Sequence, residues 1–327
     1  MAKTISDIAQ ITGVAKSTVS RYLNGGSVSE ATKRKIESVI KETGYVPNTF
    51  AQSLKAKKTN IIGTIVPRLD SYAASQTLIG IDEKLREYQC QMLISNSNQD
   101  LEREIENIYS LERQKVAGII LLATQITSAH LEAFRKVDIP VLLVGQQYEG
   151  TYSLVHDDYG AAYDMGKYVL SMGHRKIVFL GVTEKDIAVG VRRKEGFQQA
   201  VQEDGNCEIK YCETGFAIKD ALETACRIID EYRPSIFVCA TDNIALGVLK
   251  AAYMKGLQVP TDLSITGFGG YEVTEIIHPS LTTAKFYYKE AGQLAAQSMM
   301  KLVNEESIEK VMVSRYKILE RESVDKR

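Results

Sequence analysis

The chain of 327 residues carries 40 Lys+Arg against 41 Asp+Glu and is 44% apolar, long enough for two or three ordinary domains and a substantial core. No stretch approaches the roughly 18 to 20 uninterrupted apolar residues that a bilayer span needs. The opening MAKTISDIAQ has no apolar signal core, so the expectation is a cytoplasmic protein with no membrane partner.

The near-neutral total hides an asymmetry. Residues 1–60 hold ten Lys+Arg against four Asp+Glu, while the remainder holds 30 against 37. A basic module ahead of a mildly acidic body points to a polyanion, nucleic acid, for the first part and to a different role for the second. Five cysteines (Cys90, Cys207, Cys212, Cys226 and Cys239) without a CxxC pair argue against a disulfide framework and a structural zinc site.

Thr4 stands three residues before Asp7 and ahead of Ile5, Ile8, Ala9 and Ile11, the pattern of a capped short helix that Gly13 ends. Val14, Thr18, Val19 and Leu23 recur at helical spacing, which predicts a second helix from near Ala15 to Leu23. A third helix starts at the Ser29 cap, buries Ile36, Val39 and Ile40, and stops at Gly44. Two short helices joined by a tight glycine turn read as a helix-turn-helix, whose second helix enters the major groove with its N-terminal side chains at base edges. Those are Lys16 and Ser17, with Arg21 one turn on. Lys and Arg donate to guanine O6 and N7, whereas Ser17 pairs with several edges or with a phosphate. Thr18 and Ser20 fit phosphate or helix-holding roles.

The run TISDIAQITGVAKSTVSRYLNGGSVSEATKRKIESVIKETGYVPNTFAQSLKAKKTNIIGTIVP strongly resembles the N-terminus of LacI/GalR-family transcriptional regulators, through DIA, GV, TVSR, LN, VSE, the GY-P-N turn and the A-SL-KT-IG junction. One departure is Ala15, where the family usually has Ser as helix cap. The resemblance implies double-stranded operator DNA as partner, with Thr4, Lys16, Ser17, Thr18, Arg21 and Asn24 as contacts of the reading head. It also gives Asn48 to Lys57 the role of a hinge helix that folds in the minor groove beside its symmetry mate. About ten residues are too few to be helical alone in water, and folding on binding is a recognised route. Leu54 would be the apolar wedge at a central base step, with Asn48 and Ala51 along the groove. The expected organisation is a helix-turn-helix domain over 1–46, a hinge helix and linker over 47–59, and a two-lobed effector-binding and dimerisation domain over 60–327.

Beyond Asn60, apolar runs alternate with amphipathic segments: IIGTIVP, a helix to Tyr88, QMLISN, Asp100 to Gln114, VAGIILLA, a helix near Leu131, and PVLLVG. The alternation restarts with KIVFLG, Gly196 to Glu203, Ala221 to Glu231, SIFVCA, Ala245 to Lys255, and LSITGFG. Repeated βα units imply an α/β body of two lobes, each a parallel sheet with helices on both faces. Ligands in such sheets sit beyond the carboxyl ends of the strands. That rule selects Arg68, Leu69, Asp70 and Ser71 after the first strand, then Gly145, Gln146 and Gln147, the segment Val182 to Arg193, and Thr241 with Asp242. Polar groups of this kind suit a hydroxyl-rich ligand, a sugar, because a buried bond left unmade is heavily penalised.

The resemblance continues through GHRKIVFLG, ATDNIALG and HPSLTT and implies a periplasmic-binding-protein-like fold with crossovers near residues 145–150, 271 and 286. Within the family the chain looks most like the trehalose-repressor subgroup, in VPRLDS, HDDYGA, LGVTEKDIAVGVRR and CATDNIALG. That likeness implies Arg68, Ser71, Asp186, Ile187, Ala188, Val189, Arg193, Thr241 and Tyr288 as effector contacts, beside Asp70, Gln146 and Asp242 from the strand-end loops. Arg68 and Arg193 are planar forks suited to a phosphate, so the expected effector is a disaccharide or its 6-phosphate, trehalose 6-phosphate first and sucrose or its 6-phosphate next. Two departures bear on it: Gly269-Gly270 stands where the family commonly has the carboxylates of GFDD, and Gly145-Gln146 where trehalose-type repressors carry a basic residue.

An enzyme reading lacks its chemistry. No GxGxxG, GxxxxGK[ST] or GxSxG occurs, GFGG at Gly267 to Gly270 has the wrong spacing, and the four histidines are scattered. The adjacent His156-Asp157-Asp158 cannot all face one metal ion from a regular element, and no cofactor is expected. A sugar-binding receptor, or a global regulator answering to a phosphorylated carrier protein, are the alternatives. Two heads reading two half-sites imply a homodimer on a pseudo-palindromic operator, with Ala73 to Tyr88 and Thr274 to Pro279 as candidate interface. A sugar between the lobes would then alter the hinge and release DNA.

Overall fold

The computed structural model describes residues 3–23, 26–45 and 59–327, and the chain divides into two units, Met1–Thr59 and Asn60–Arg327. Asn24, Asn48, Ala51 and Leu54, and with them the hinge segment, lie outside the described residues.

The first unit contains α1 (Ile5–Thr12), α2 (Lys16–Leu23) and α3 (Glu30–Thr43). Thr4 and Asp7 form a full capping box, and Gly13 (φ 69°) and Gly44 (φ 60°) end α1 and α3 in the left-handed conformation that glycine adopts freely. Ile8, Ala9, Val19 and Ile36 make the centre of a small core, flanked by Ile5, Leu23, Val39 and Ile40. Ile11 is half exposed instead of buried. The inward stripe of α1 is 5, 8, 9 and 12, so Thr12 takes the place read for Ile11, and its hydroxyl donates to the Ile8 carbonyl at 2.7 Å. Between α2 and α3, the Tyr22 hydroxyl reaches Glu37 at 3.0 Å.

The second unit begins with β1 (Ile61–Val66), α4 (Tyr72–Glu87), β2 (Gln91–Asn96), α5 (Leu101–Arg113), β3 (Gly118–Leu122), α6 (Ser128–Lys136), β4 (Val141–Val144) and β5 (Tyr152–His156). The chain then passes to α7 (Asp158–Ser171), β6 (Lys176–Gly181), a π-helical turn (Ile187–Arg192), α8 (Arg193–Asp204), β7 (Glu208–Glu213), α9 (Ile218–Tyr232), β8 (Ile236–Cys239), α10 (Asp242–Met254), β9 (Ser264–Gly269), the short α11 (Val273–Ile276) and β10 (Thr282–Phe286). It ends with α12 (Tyr288–Val303), β11 (Val311–Ser314) and β12 (Tyr316–Leu319). Among the described residues the sheets run β11-β5-β4-β3-β1-β2 and β12-β10-β9-β8-β6-β7, parallel throughout except that β12 is antiparallel to β10. β3, β8 and β9 are buried along their whole length, as strands covered on both faces must be.

The crossovers depart from expectation. The chain changes lobe between β5 and α7, between β10 and α12, and between β11 and β12. Residues 145–150 instead link β4 to β5 within one sheet, and 271 follows β9 inside the other, so only the crossover at 286 falls where it was expected. The physical reason is β5: it pairs with β4 through Leu142–Tyr152 to Val144–Leu154 and keeps the chain in the first sheet for one more strand. α12 returns to pack along α4 with the backbones in contact. A Cβ on Gly80 would lie 1.9 Å from the Lys289 carbonyl oxygen, and one on Gly292 would lie 2.1 Å from that of Thr77.

Candidate functional sites: a reading head and a cleft cavity

In the first unit, α2 turns Val19 into the core, and Lys16, Ser17 and Arg21 into solvent. Thr18 is half-buried. The periodicity that buries one face delivers the polar face outward, with the two side chains at the N-terminus and the one a turn later side by side. Thr4 is exposed, but its hydroxyl donates to Asp7 at 2.9 Å and accepts from the Asp7 amide at 3.3 Å, and its own amide donates to the Asp7 carboxylate at 2.7 Å. Those hydrogen bonds lower the Asp7 carboxyl below its ordinary value.

In the second unit, a cavity of about 150 Å³ opens where the carboxyl ends of both sheets face each other. In each sheet the strand order reverses at one point, beside β1 and β3 in the first and beside β6 and β8 in the second, and the loops leaving those strands supply the walls. Arg68, Ser71, Asp186, Ala188, Val189, Arg193, Thr241 and Tyr288 all line it. Several of these hold the loops as well as face the cavity. Ser71 caps α4 by accepting from the Ala74 amide, Asp186 accepts from the Val189 amide at 3.0 Å at the head of the π-helical turn, and Thr241 caps α10. Burial raises the Asp186 carboxyl above its ordinary value.

Arg193 is 4% exposed. Its Nε donates to Asp158 at 2.8 Å and its Nη1 to the Ala240 carbonyl at 2.6 Å, while the guanidinium lies over Phe286 at 4.8 Å. Burial works against its charge, but Asp158 together with the Tyr288 and Tyr271 hydroxyls outweighs it and holds the group above its ordinary value. Arg68 pairs with Asp70 at 3.2 Å and sits over the Phe216 ring at 4.6 Å. The two guanidiniums are thus already engaged.

Four expected contacts fall elsewhere. Asp70 projects into solvent with its side chain 82% exposed. Gln146 is buried beside Gly145 but is not part of the lining, and its side-chain nitrogen has no partner among the described residues. Ile187 turns aside, and its amide donates to the Thr124 carbonyl of the opposite lobe at 3.3 Å. Asp242 faces inward: its oxygens accept from the Thr283 hydroxyl at 2.6 Å and the Tyr271 amide at 2.8 Å. Burial pushes it up to about 6, partly offset by those donors. As the first residue of α10 it lies one position past the loop, which turns its side chain under β10.

Comparison with known proteins places the chain. Residues 4–48 match bacterial regulatory proteins of the lacI family, and residues 167–324 match a periplasmic binding protein-like domain. The sucrose operon repressor of Staphylococcus xylosus is 38% identical over 95% of this chain and 97% of its own. The chain belongs to the LacI family. It is therefore a DNA-binding transcriptional regulator and not an enzyme. The regulator TreR of Salmonella typhimurium is 30% identical over 92% of the chain and 94% of its own. The fold is that of the lac repressor dimer bound to operator and anti-inducer, with a TM-score of 0.93 at 22% identity over 99% of this chain and all of that one.

Within this LacI-family chain the sequence reading missed Tyr72, His156, Asp158, Phe216, Asn243 and Tyr271, all of which line the cavity. The run HDDYGA carries part of the family likeness, but neither that likeness nor the strand-end rule assigned His156 or Asp158 to the cavity. The signal that would have found Asp158 is its place directly after β5, a strand whose mixed YSLVH composition hid it. His156 packs edge-on against Tyr288 at 5.0 Å, and burial lowers its imidazole below the ordinary value against the opposing pull of Asp158.

Proposed function

We propose that this regulator represses a sugar-utilisation operon as a homodimer on a pseudo-palindromic operator, and that a neutral disaccharide of the sucrose type in the cleft releases it. The single observation that carries the ligand class is the ion pair between Arg193 and Asp158. A phosphate would need two available guanidiniums, but Arg193 is neutralised in place and Arg68 lies over an aromatic face beside Asp70. A doubly charged phosphate would compete with Asp158 in a buried wall that also holds Asp186, a costly exchange. Neutral hydroxyls add hydrogen bonds to the same carboxylates without that competition. The higher identity to a sucrose operon repressor than to TreR supports the same order, sucrose before trehalose 6-phosphate.

Lys16, Ser17 and Arg21 are proposed to read base edges, with Thr18 on the backbone. Asn24, Asn48, Ala51 and Leu54 keep the roles the family resemblance gives them. Ile79 within 73–88 and Ile276 within 274–279 leave apolar side chains in solvent, Ile276 at 83%, which supports those two segments as dimer surface. The deciding experiment is operator-shift binding against sucrose, sucrose 6-phosphate, trehalose and trehalose 6-phosphate. Release by sucrose at lower concentration than by either phosphate ester is the expected result. Release by trehalose 6-phosphate alone overturns the neutral-ligand reading. Indifference to all four sugars, with operator still bound, favours the regulator that answers to a phosphorylated carrier protein.

A further inference from the structure

β9 ends on Gly269 at φ 140° and the backbone continues through Gly270 at φ 71°, conformations that L side chains rarely adopt. A Cβ on Gly269 would lie 2.2 Å from Cε1 of the Tyr271 ring, and one on Gly270 would lie 2.6 Å from the Lys285 side chain. Two glycines in succession therefore let the Tyr271 ring fold back over the end of β9. There it is 8% exposed and its amide is fixed by Asp242. Its ring meets Tyr72, the first residue of α4 in the other lobe, with centroids 4.1 Å apart and planes 31° apart. Both tyrosines line the cavity.

We infer that Tyr72 and Tyr271 form a latch across the cleft that positions the two walls of the cavity for the effector. The inference rests on the proposed effector role of this cavity. Each lobe contributes one ring, so the stacked contact exists only when the lobes are closed. Ser71 sits next to Tyr72 at the cap of α4, and closure through the latch brings that wall towards Thr241 and Arg193. A ligand that must touch both walls then binds more tightly to a cleft already held in register, because less of its binding free energy goes into ordering the lobes. Arg68 over Phe216 crosses the cleft from the same loop and steadies it.

The chain contains no tryptophan, so a single substitution gives a clean reporter. Tyr72→Trp places one indole in the stack of the full-length protein, read by emission maximum and acrylamide quenching without any sugar. Adding Tyr271→Ala should red-shift the emission and raise the quenching constant severalfold. An unchanged quenching constant overturns the latch. Separately, Tyr72→Ala and Tyr271→Ala should each weaken sucrose binding about five- to tenfold. The double variant should be no weaker than either single one, because the second ring has nothing left to hold. Fully multiplicative losses would mean that the rings touch the sugar independently, against the latch. If sucrose fails to bind even the wild-type protein, the effector assignment falls, while the sugar-free quenching result still decides whether the rings hold the cleft.

Discussion

The reading head and the cleft cavity show their polar residues in opposite ways. On α2, Lys16, Ser17 and Arg21 stand in solvent on the face that folding leaves over, while Val19 on the opposite face builds the core. In the cavity the polar groups expected at the effector also hold the fold. Ser71, Asp186 and Thr241 cap local structure, and Arg193 with Asp158 closes the wall between β8 and α7. The residues proposed to touch DNA are separable from stability, and those proposed to touch the effector are not. The difference follows from the ligands. DNA is large and comes to an exposed face, whereas a small effector must be enclosed, and enclosing polar groups requires that they be paired before the ligand arrives.

The sharpest way to break that contrast is Arg193→Ala. It leaves the Asp158 carboxylate buried without its partner, so the second unit should lose about 3 to 5 kcal/mol in urea denaturation. Replacing Asp158 as well, with Asn, should recover part of the loss. An Arg193→Ala protein of wild-type stability that merely ignores sugar would show the ion pair to be sensory alone, and the contrast between the two regions would disappear.

Acid titration separates the regions next. The histidines all belong to the second unit. Burial lowers His174, fully enclosed with Nε2 donating to the Asp325 carbonyl, to about 4. Between about pH 6.5 and 4 the folded chain therefore binds fewer protons at His174 than the unfolded chain, so its contribution to stability is lost as pH falls, up to about 3 kcal/mol. Asp242, raised to about 6, has the opposite sign: its contribution is present below the unfolded carboxylate range and is lost as pH rises through 6. Melting curves of the variants resolve the two. His174→Gln should flatten the acid-side loss and Asp242→Asn should steepen it; equal curves for all three proteins would refute both assignments.

For the head, Arg21→Ala should cost about 1 to 3 kcal/mol of operator affinity and relax base preference at one position per half-site. Its unfolding should stay within roughly 0.5 kcal/mol of wild type, as for surface changes away from any cap or core. Competition binding against a set of single-base operator variants reads the first, and denaturation the second. Uniform weakening with preference intact would move Arg21 from bases to phosphates.

The same contrast explains what could be read from the amino-acid order. The head was legible nearly to the residue, because caps at Thr4 and Ser29, glycine stops at Gly13 and Gly44, and helical spacing are local signals. Ile11 was the exception, since its periodicity alone does not say which of two neighbouring stripes turns inward. In the body, strands buried on both faces announced themselves as apolar runs, and the strand-end rule found Arg68, Ser71, Asp186, Arg193 and Thr241. Asp158 escaped because it follows the crossover out of β5, and Tyr72 and Tyr271 because their ring contact spans the cleft, a non-local pairing that leaves no mark in a single chain. Asp242 misled for a related reason: one residue of helical rotation after Thr241 turned it from the cavity to Thr283.

The smallest expected effect tests where head and cavity most resemble each other, at Thr4. Among the described residues of the head, Thr4 is the one expected at DNA whose hydrogen bonds also hold a helix end, since its hydroxyl and amide complete the capping box with Asp7. Thr4→Ala should cost about 1 kcal/mol of local stability, seen as faster deuterium exchange over residues 5–12 in the full-length protein. Thr4→Ser keeps the hydroxyl and should keep the protection. If the serine variant protects α1 fully yet binds operator as weakly as the alanine variant, the methyl group or its fit against DNA matters, and Thr4 belongs with Lys16 and Arg21 as a contact. If protection and affinity rise and fall together across both variants, Thr4 acts through the cap, and the head has one residue built on the logic of the cavity.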